Sequence, residues 1–378
     1  MTGKIQTLKG KRIWHLISNR WFSAITQYGL NAAKSLQMKG HLCLITCLEQ
    51  SPAAQHAAEM GLDVSPVSSF NVLSLMKLRK IAQGFGPDVI FVYGGPEMAM
   101  SRFIPGFGRQ EKPVIRFRGQ AVSDSNRRFP GLFKKSHAHV DLVLTPGTRL
   151  ADHMKSALDA SVPVRKMTLG IDTDRFNRPA VVKDLPAPEL LLFGRFDPVK
   201  GHEKFIKIFS MMLDLWQSHE SKNQPEPKLH IAGKPANISK SQMEEFARQC
   251  GLSVGRQVKI TTGQIHEISK VMSSACIGVV SSVGSEEICR VAQEFLLCGT
   301  PVFVSGVGAL NEVLFTDAGL SYEKRSDSEV AELLFHFILQ SQKEDQVSRE
   351  LRASMARTHF SLQAMGRDLN AALQFLAV

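Results

Sequence analysis

The chain has 378 residues, 43% hydrophobic and 21% charged, a balance that suits a globular protein and excludes a disordered one. No run of about 18 apolar residues is present, so the sequence predicts no membrane-spanning helix. The net charge of +11 is uneven: residues 1–180 hold 25 Lys and Arg against 12 Asp and Glu, a net of +13, leaving 21 against 23, or −2, for the rest.

Such a concentrated positive field suggests an anionic partner, a phospholipid surface, a phosphorylated glycolipid or nucleic acid, or else a basic surface that only aids solubility. No nucleic-acid-binding motif accompanies the charge, so nucleic acid is not expected. The first apolar run, residues 13–17, is interrupted by His15 and soon followed by Asn19 and Arg20, too short for the core of a signal peptide. Cys43, Cys47, Cys250, Cys276, Cys289 and Cys298 lack metal-ligand spacing, which predicts buried thiols in a reducing cytoplasm and no metal site.

Apolar runs at 13–17, 42–47, 89–93, 114–117 and 142–145 alternate with segments long enough for helices, the pattern of a parallel sheet. The first helix is expected over 23–39, stopped by Gly40. The alternation restarts with runs at 190–193, 229–232, 258–260, 277–280 and 302–304, and the phrase LGIDTDRFNRP, residues 169–179, reads as the linker. After Ser326 the sequence is helical, with a break over 358–361 before a last amphipathic segment, 362–376. The expected architecture is α/β, two facing Rossmann-like domains with a cleft between them. It comprises an N-terminal domain (1–180), a C-terminal domain (181–357) and a final helix (358–378) returning to the N-domain.

Two groups of residues carry chemistry. In GRFDPVKGHEKF, residues 194–205, Arg195 at a strand end and Lys200 near a helix start can converge on one anion, aided by backbone amides; alone, two such cations also make ordinary surface ion pairs. In SEEICRVAQEFLLCGTP, residues 285–301, Glu286 is expected near a helix start and Glu294 two turns inside it. A separation of eight residues then places them about 12 Å apart along the axis, comparable to the distance from sugar to ribose hydroxyls in a nucleotide sugar.

Together these residues resemble the retaining glycosyltransferase family 4, which has the GT-B fold. The matching positions are Gly194, Arg195, Lys200 and Gly201; Ile231, Ala232 and Gly233; Gly263; Ser285, Glu286 and Glu294; Gly299, Thr300, Pro301 and Val302; and Ser305, Gly308 and Glu312. The phrase GIDTDRF resembles the family's crossing segment. The resemblance implies Arg195 and Lys200 on the diphosphate, Glu286 on the donor sugar and Glu294 on the ribose. Catalytic duty would fall to Arg195, Lys200 and Glu286. It extends donor contact to Gly194, Gly233, Lys234, Gly263, Gln264, Ile265, Glu287, Ile288 and Cys289, although Lys234 is equally at home as a surface lysine.

Cleavage of the anomeric bond leaves charge on the departing diphosphate, and fixed cations there stabilise the transition state. The Asp172-Thr173-Asp174 triplet lies within the linker phrase and needs no metal to explain it. The resemblance therefore implies retention of configuration without a metal or other cofactor, in a hexosyltransferase whose donor is a nucleotide-diphosphate sugar.

The N-terminal half departs from the family pattern. The loop after the first strand, SNRWFSAI, residues 18–25, has no glycine, and IRFRGQ, residues 115–120, carries Arg118 where the family often has histidine. Arginine cannot serve as a base but can bind a phosphate or anionic sugar, or sit in a surface ion pair. Arg118, Trp21 and Ser23 are the acceptor-side candidates. Trp14 and Tyr28 could join that surface or pack in the core; His15 is expected as a hydrogen-bonded core residue, and His137 and His139 in a surface turn, from which one of them could approach the cleft.

The basic half fits a glycan or glycolipid acceptor, as in lipopolysaccharide or other cell-surface polysaccharide synthesis, in a cytoplasmic enzyme peripheral on the inner face of an anionic membrane. LSLMKLRK, residues 73–80, could supply a basic amphipathic face or an ordinary half-buried helix. Two alternatives are a non-catalytic nucleotide-sugar-binding partner subunit and an epimerase on the same fold. The latter would be expected to place histidines near Glu286 for acid-base work.

Overall fold

A computed structural model describes residues 10–109, 111–120, 128–176, 187–219, 224–263, 267–284 and 286–378. The chain divides into two compact units, residues 1–172 with 360–378, and residues 173–359. Each is built on an all-parallel sheet, as the alternation of apolar runs predicts.

In the first unit the elements run β1 (Arg12–Ile17), α1 (Ala24–Gln37), β2 (Leu42–Cys47), α2 (Pro52–Glu59), β3 (Asp63–Val64), α3 (Leu75–Phe85), β4 (Val89–Val92), α4 (Gly95–Ser101), β5 (Val114–Phe117), α5 (Pro130–Ser136), β6 (Leu142–Thr145), α6 (Thr148–Ala157) and β7 (Val164–Lys166). The sheet order is β3-β2-β1-β4-β5-β6-β7. All side chains of β4, β5 and β6 are buried, the mark of strands covered on both faces. The short edge strands β3 and β7 escape sequence reasoning because only one of their five side chains, that of Val164, is buried. Helix α1 starts at Ser23, whose hydroxyl accepts the Thr26 N–H at 3.2 Å.

The second unit runs β8 (Glu189–Phe193), α7 (His202–Ser218), β9 (Lys228–Gly233), α8 (Lys240–Gln249), β10 (Val258–Thr262), α9 (Ile268–Ser274), β11 (Ile277–Val280), α10 (Arg290–Leu297), β12 (Val302–Val304), β13 (Gly319–Ser321), α11 (Asp327–Ser341) and α12 (Gln346–Phe360). Its sheet order is β10-β9-β8-β11-β12-β13. Leu190, Leu192, Ile231, Ile277, Val279 and Phe303 from the strands pack with Phe205, Phe209 and Trp216 of α7 in one core. From β8 the chain winds outward through β9 and β10, then returns to start β11 on the other side of β8. The β8/β11 boundary is thus the topological switch point, where open α/β sheets hold ligands outside the carboxyl ends of their strands.

Helix α12 is pinned by two buried arginines. Arg352 donates to the carbonyls of Asp317 (2.6 Å) and Gly299 (2.8 Å) and pairs with Glu344, while Arg349 donates to the carbonyls of Ser273 and Ala275. The predicted break near 358–361 is real: Ser361 caps a final helix, α13 (Leu362–Phe375), through the Ala364 N–H. Helix α13 lies in the first unit against α1, with Asn370 hydrogen-bonded to His41 at 2.9 Å. The break over 342–345, between α11 and α12, was not legible in the sequence.

Candidate active site

Outside the carboxyl ends of β8 and β11 the second unit carries an open cavity of about 590 Å³. Two close backbone contacts shape it. Gly233, at the end of β9, approaches Gly194, at the end of β8, so tightly that a Cβ would collide with the Gly194 carbonyl. Gly308, with φ of 67°, brings its backbone against that of Glu286, where a Cβ would lie 2.5 Å from the Glu286 carbonyl oxygen.

The turn after β8 presents two cations. Arg195 is largely exposed, its guanidinium 3.4 Å from the Asp197 carboxylate. Asp197 is itself fixed by the Val199 N–H and by Asn237. Lys200 points inward, its amine 2.5 Å from Glu286 Oε2, which also accepts the Ser282 hydroxyl at 2.6 Å. Ser281 donates to the Lys200 carbonyl at 2.9 Å, tying the turn to the end of β11.

The sequence expectation for the two glutamates needs correction. Helix α10 begins at Arg290, so Glu286 precedes it and the two carboxylates are not spaced along one helix. Cys289, with φ of 53°, breaks the helical run, and the Glu286 carbonyl accepts from the Ala309 N–H (3.0 Å) and the Cys289 thiol (3.0 Å) instead of a helical partner. Tertiary backbone contacts therefore hold Glu286. Glu294 does lie within α10, almost fully buried. Burial raises the pKa of its carboxyl, while Arg290, 2.7 Å from Oε1, and then Arg175 act against that rise.

The cavity lining brings together Gly194, Arg195, Lys200, Gly233, Lys234, Gly263, Glu286 and Glu294. Glu287, Ile288 and Cys289 are not among its lining residues; the Cys289 thiol is buried, and burial pushes its pKa up. Gln264, Ile265 and Ser285 lie outside the described residues. Sequence reasoning missed Arg175, Ser281, Ser282 and Arg290, which also line the cavity. Of these, Arg290 was the most legible, because a four-residue spacing from Glu294 on a helix makes a pair. Five cationic side chains among the described lining residues face two carboxylates, which favours an anionic ligand. No histidine is among them; His202, beside this turn, is buried, and burial lowers its pKa to about 4.

The acceptor-side candidates belong to the first unit. Arg118 is half-buried and donates from Nε to the Gln120 carbonyl at 2.8 Å; burial lowers its pKa. Trp21 is 70% exposed, whereas Ser23 is occupied as the α1 cap and with Asn19 and Thr26. Trp14 and Tyr28 are core residues: the Trp14 indole donates to Thr46 at 2.8 Å, and Tyr28 stacks on Phe117. His15 is a core residue as expected, bonded to the Tyr93 hydroxyl at 2.8 Å, its pKa lowered to about 3 by burial. His137 and His139 do lie in a turn between α5 and β6, but His137 is buried against Phe133 instead of at the surface, and His139 is half-buried, bonding Ser101 and the Met98 carbonyl. Val72 and Leu73, in the turn just before α3, and Met76, in its first turn, are 73%, 89% and 72% exposed, so this stretch is more open than a half-buried helix. Among the described residues, no helix is long and apolar enough to cross a membrane.

Residues 173–354 match the family model described as Glycosyl transferases group 1, which spans nearly all of the second unit. No curated protein matches the chain. Among solved structures it is similar to Anabaena Alr3699/HepE in complex with UDP and glucose, at 15% identity and a TM-score of 0.73, covering 96% of this chain and 99% of that one. A glycosyltransferase from Rickettsia africae ESF-5 is similar at 14% identity and a TM-score of 0.75, covering 97% and 99%. The lipopolysaccharide outer core galactosyltransferase WaaB, in its apo form, is similar at 11% identity and a TM-score of 0.69, covering 96% and 99%. At these identities the likeness is one of fold, the two parallel-sheet units of the GT-B type.

Proposed function

We propose that the chain is a glycosyltransferase that holds a nucleotide-diphosphate sugar in the cavity of the second unit and transfers the sugar, with retention, to a glycan or glycolipid. The observation that carries this reading is the convergence of Arg195, Lys200, Glu286 and Glu294 on one cavity at the β8/β11 switch point. Arg195 and Lys200 would take the charge that develops on the departing diphosphate, Glu286 the sugar hydroxyls and Glu294 the ribose. With two cations so placed the transfer is proposed to need no metal.

The charge excess of the first unit favours a phosphate-bearing acceptor or one presented at an anionic membrane surface, as in lipopolysaccharide or related cell-surface polysaccharide synthesis. The exposed Val72, Leu73 and Met76 beside Lys77, Arg79 and Lys80 fit peripheral association with the inner face of such a membrane. A non-catalytic nucleotide-sugar binder is the second reading, favoured by Arg118 at the position where the family resemblance leads one to expect histidine.

The test is a thermal-shift panel of nucleoside diphosphates and nucleotide sugars, followed by donor turnover with and without EDTA. A rise in Tm with one nucleoside diphosphate class and chelator-insensitive release of that diphosphate are expected. Absence of any shift refutes the nucleotide-sugar site. Binding without turnover selects the second reading, and loss of turnover in EDTA refutes the metal-independent mechanism.

A further inference from the structure

The ion pair between Arg290 and Glu294 is poorly placed to stabilise the helix that carries it. Arg290 is the first residue of α10, where the positive end of the helix dipole disfavours a cation, and arginine four residues before glutamate is the weaker orientation of such a pair. Yet the guanidinium Nε lies 2.7 Å from Glu294 Oε1, with side-chain exposures of 34% and 7%, and both residues line the cavity. A carboxylate buried this deeply keeps its charge only where a cation holds it.

We propose that Arg290 is a positioning residue for the nucleotide, keeping Glu294 ionised and oriented so that its carboxylate accepts hydrogen bonds from the vicinal hydroxyls of the ligand's ribose. This rests on the reading of the cavity as a nucleotide-sugar site. The family resemblance assigns Arg290 no role; its part follows from the burial of Glu294 and the geometry of the pair.

Among the described residues, other titratable and charged groups face α10 from several elements: Glu287 and Cys289 directly precede it, and Arg357 of α12 acts on Cys298 at its far end. The turn at residues 173–176 carries Asp174 and Arg175, and helix α9 carries Lys270, ion-paired with Glu267. The turn at residues 310–313 carries Glu312, and Lys200 and Glu286 across the cavity are paired with each other. On α10's own C-terminal side, Cys298 has its thiol pushed up to about 12 by burial. Besides Arg290, the cation acting on Glu294 is Arg175, so removing Arg290 leaves the carboxylate with one weaker partner and a pKa raised further.

The experiment compares wild type, Arg290→Gln and Arg290→Lys by calorimetric titration with UDP-glucose, GDP-mannose and ADP-glucose. None of these carries a phosphate proton that titrates near neutrality. Inorganic pyrophosphate is the control, since it has no ribose. Glu294 is ionised in all three proteins at high pH and protonates first in Arg290→Gln as the pH falls. The ratio of Kd values, Arg290→Gln over wild type, is therefore expected to be smallest at about pH 8.5, where only the orienting contact is lost, and to widen about tenfold further by about pH 5.5 as a charge-assisted bond becomes a neutral one. Arg290→Lys, which keeps the cation, should follow the wild-type profile, and pyrophosphate should bind all three alike.

A ratio that stays constant with pH overturns the proposal, as does an equal loss of pyrophosphate affinity, which would put Arg290 on the phosphates directly. Should Arg290→Gln fail to fold, a widening Arg290→Lys ratio of the Arg290→Gln kind would count equally against it. Wild type that binds none of the three sugars nor their diphosphates refutes the underlying reading of the cavity, a result distinct from either of those.

Discussion

Substituting Glu286→Gln should tighten the binding of a bare nucleoside diphosphate while abolishing most sugar transfer. In the free protein the Lys200 amine is 2.5 Å from Glu286 Oε2, the two side chains being 28% and 12% exposed. Unit charges at that distance attract by about 7 kcal/mol at an effective dielectric of about 20 and by about 2 kcal/mol in water. Desolvation offsets most of this, leaving a net coupling of about 1–2 kcal/mol. An incoming diphosphate must draw Lys200 from Glu286 or share it. With glutamine in place, the competing charge is gone and affinity should rise about five- to thirtyfold. Lys200→Met loses a charge-assisted hydrogen bond worth about 2 kcal/mol, so affinity should fall about thirtyfold. Calorimetric titration of wild type and both variants with UDP, GDP and ADP reads the opposite signs directly. If Glu286→Gln weakens binding as Lys200→Met does, Glu286 holds Lys200 in its binding position and the competition argument is wrong.

Gly233→Ala should lower Tm by a few degrees, the consequence of about 1–3 kcal/mol of overpacking where its Cβ meets the Gly194 carbonyl, and should abolish the diphosphate-induced shift in Tm. An unchanged shift would mean that the strand ends relax without disturbing the cavity. His15 is held neutral by burial, its pKa lowered to about 3 from an ordinary 6.5. Its contribution is therefore fully present above the unfolded value. As the pH falls below that value, the unfolded chain takes up a proton that folded His15 refuses, and stability drops by about 1.4 kcal/mol per pH unit. Between about pH 6.5 and pH 5, His15→Gln should lose about 2 kcal/mol less than wild type, and Tm values across that range would expose an equal loss in both.

Much of the fold was legible because strands covered on both faces are almost wholly apolar, the buried Arg116 of β5 excepted. The runs at 114–117, 142–145, 277–280 and 302–304 are strands with those bounds. Caps were legible for a related reason: Ser23 and Ser361 are short hydroxyl side chains placed where a helix begins. Edge strands β3, β7 and β13 were not, since only one of their eight residues, Val164, is buried. The cavity was readable in part. Gly194, Arg195, Lys200, Gly233 and Glu294 sit at strand ends or on helices whose positions follow from local pattern. The placement of Glu286 ahead of α10 was not readable, because it depends on Cys289 in the left-handed region and on Gly308 some twenty residues later in the chain.

By itself the sequence determined the two parallel α/β units, the concentration of positive charge in the first half and the residue types that a diphosphate would meet, since periodicity, composition and spacing are local properties. Tertiary structure alone decided the partners. It paired Lys200 with Glu286, 86 positions apart, set Ser281 and Ser282 at the end of β11 beside them, and buried Trp14, Tyr28 and His137. Burial and ion pairing depend on which segments the fold brings within a few ångströms. The strength of each charge in the cavity is therefore a property of the assembled second unit, encoded by no single stretch of its chain.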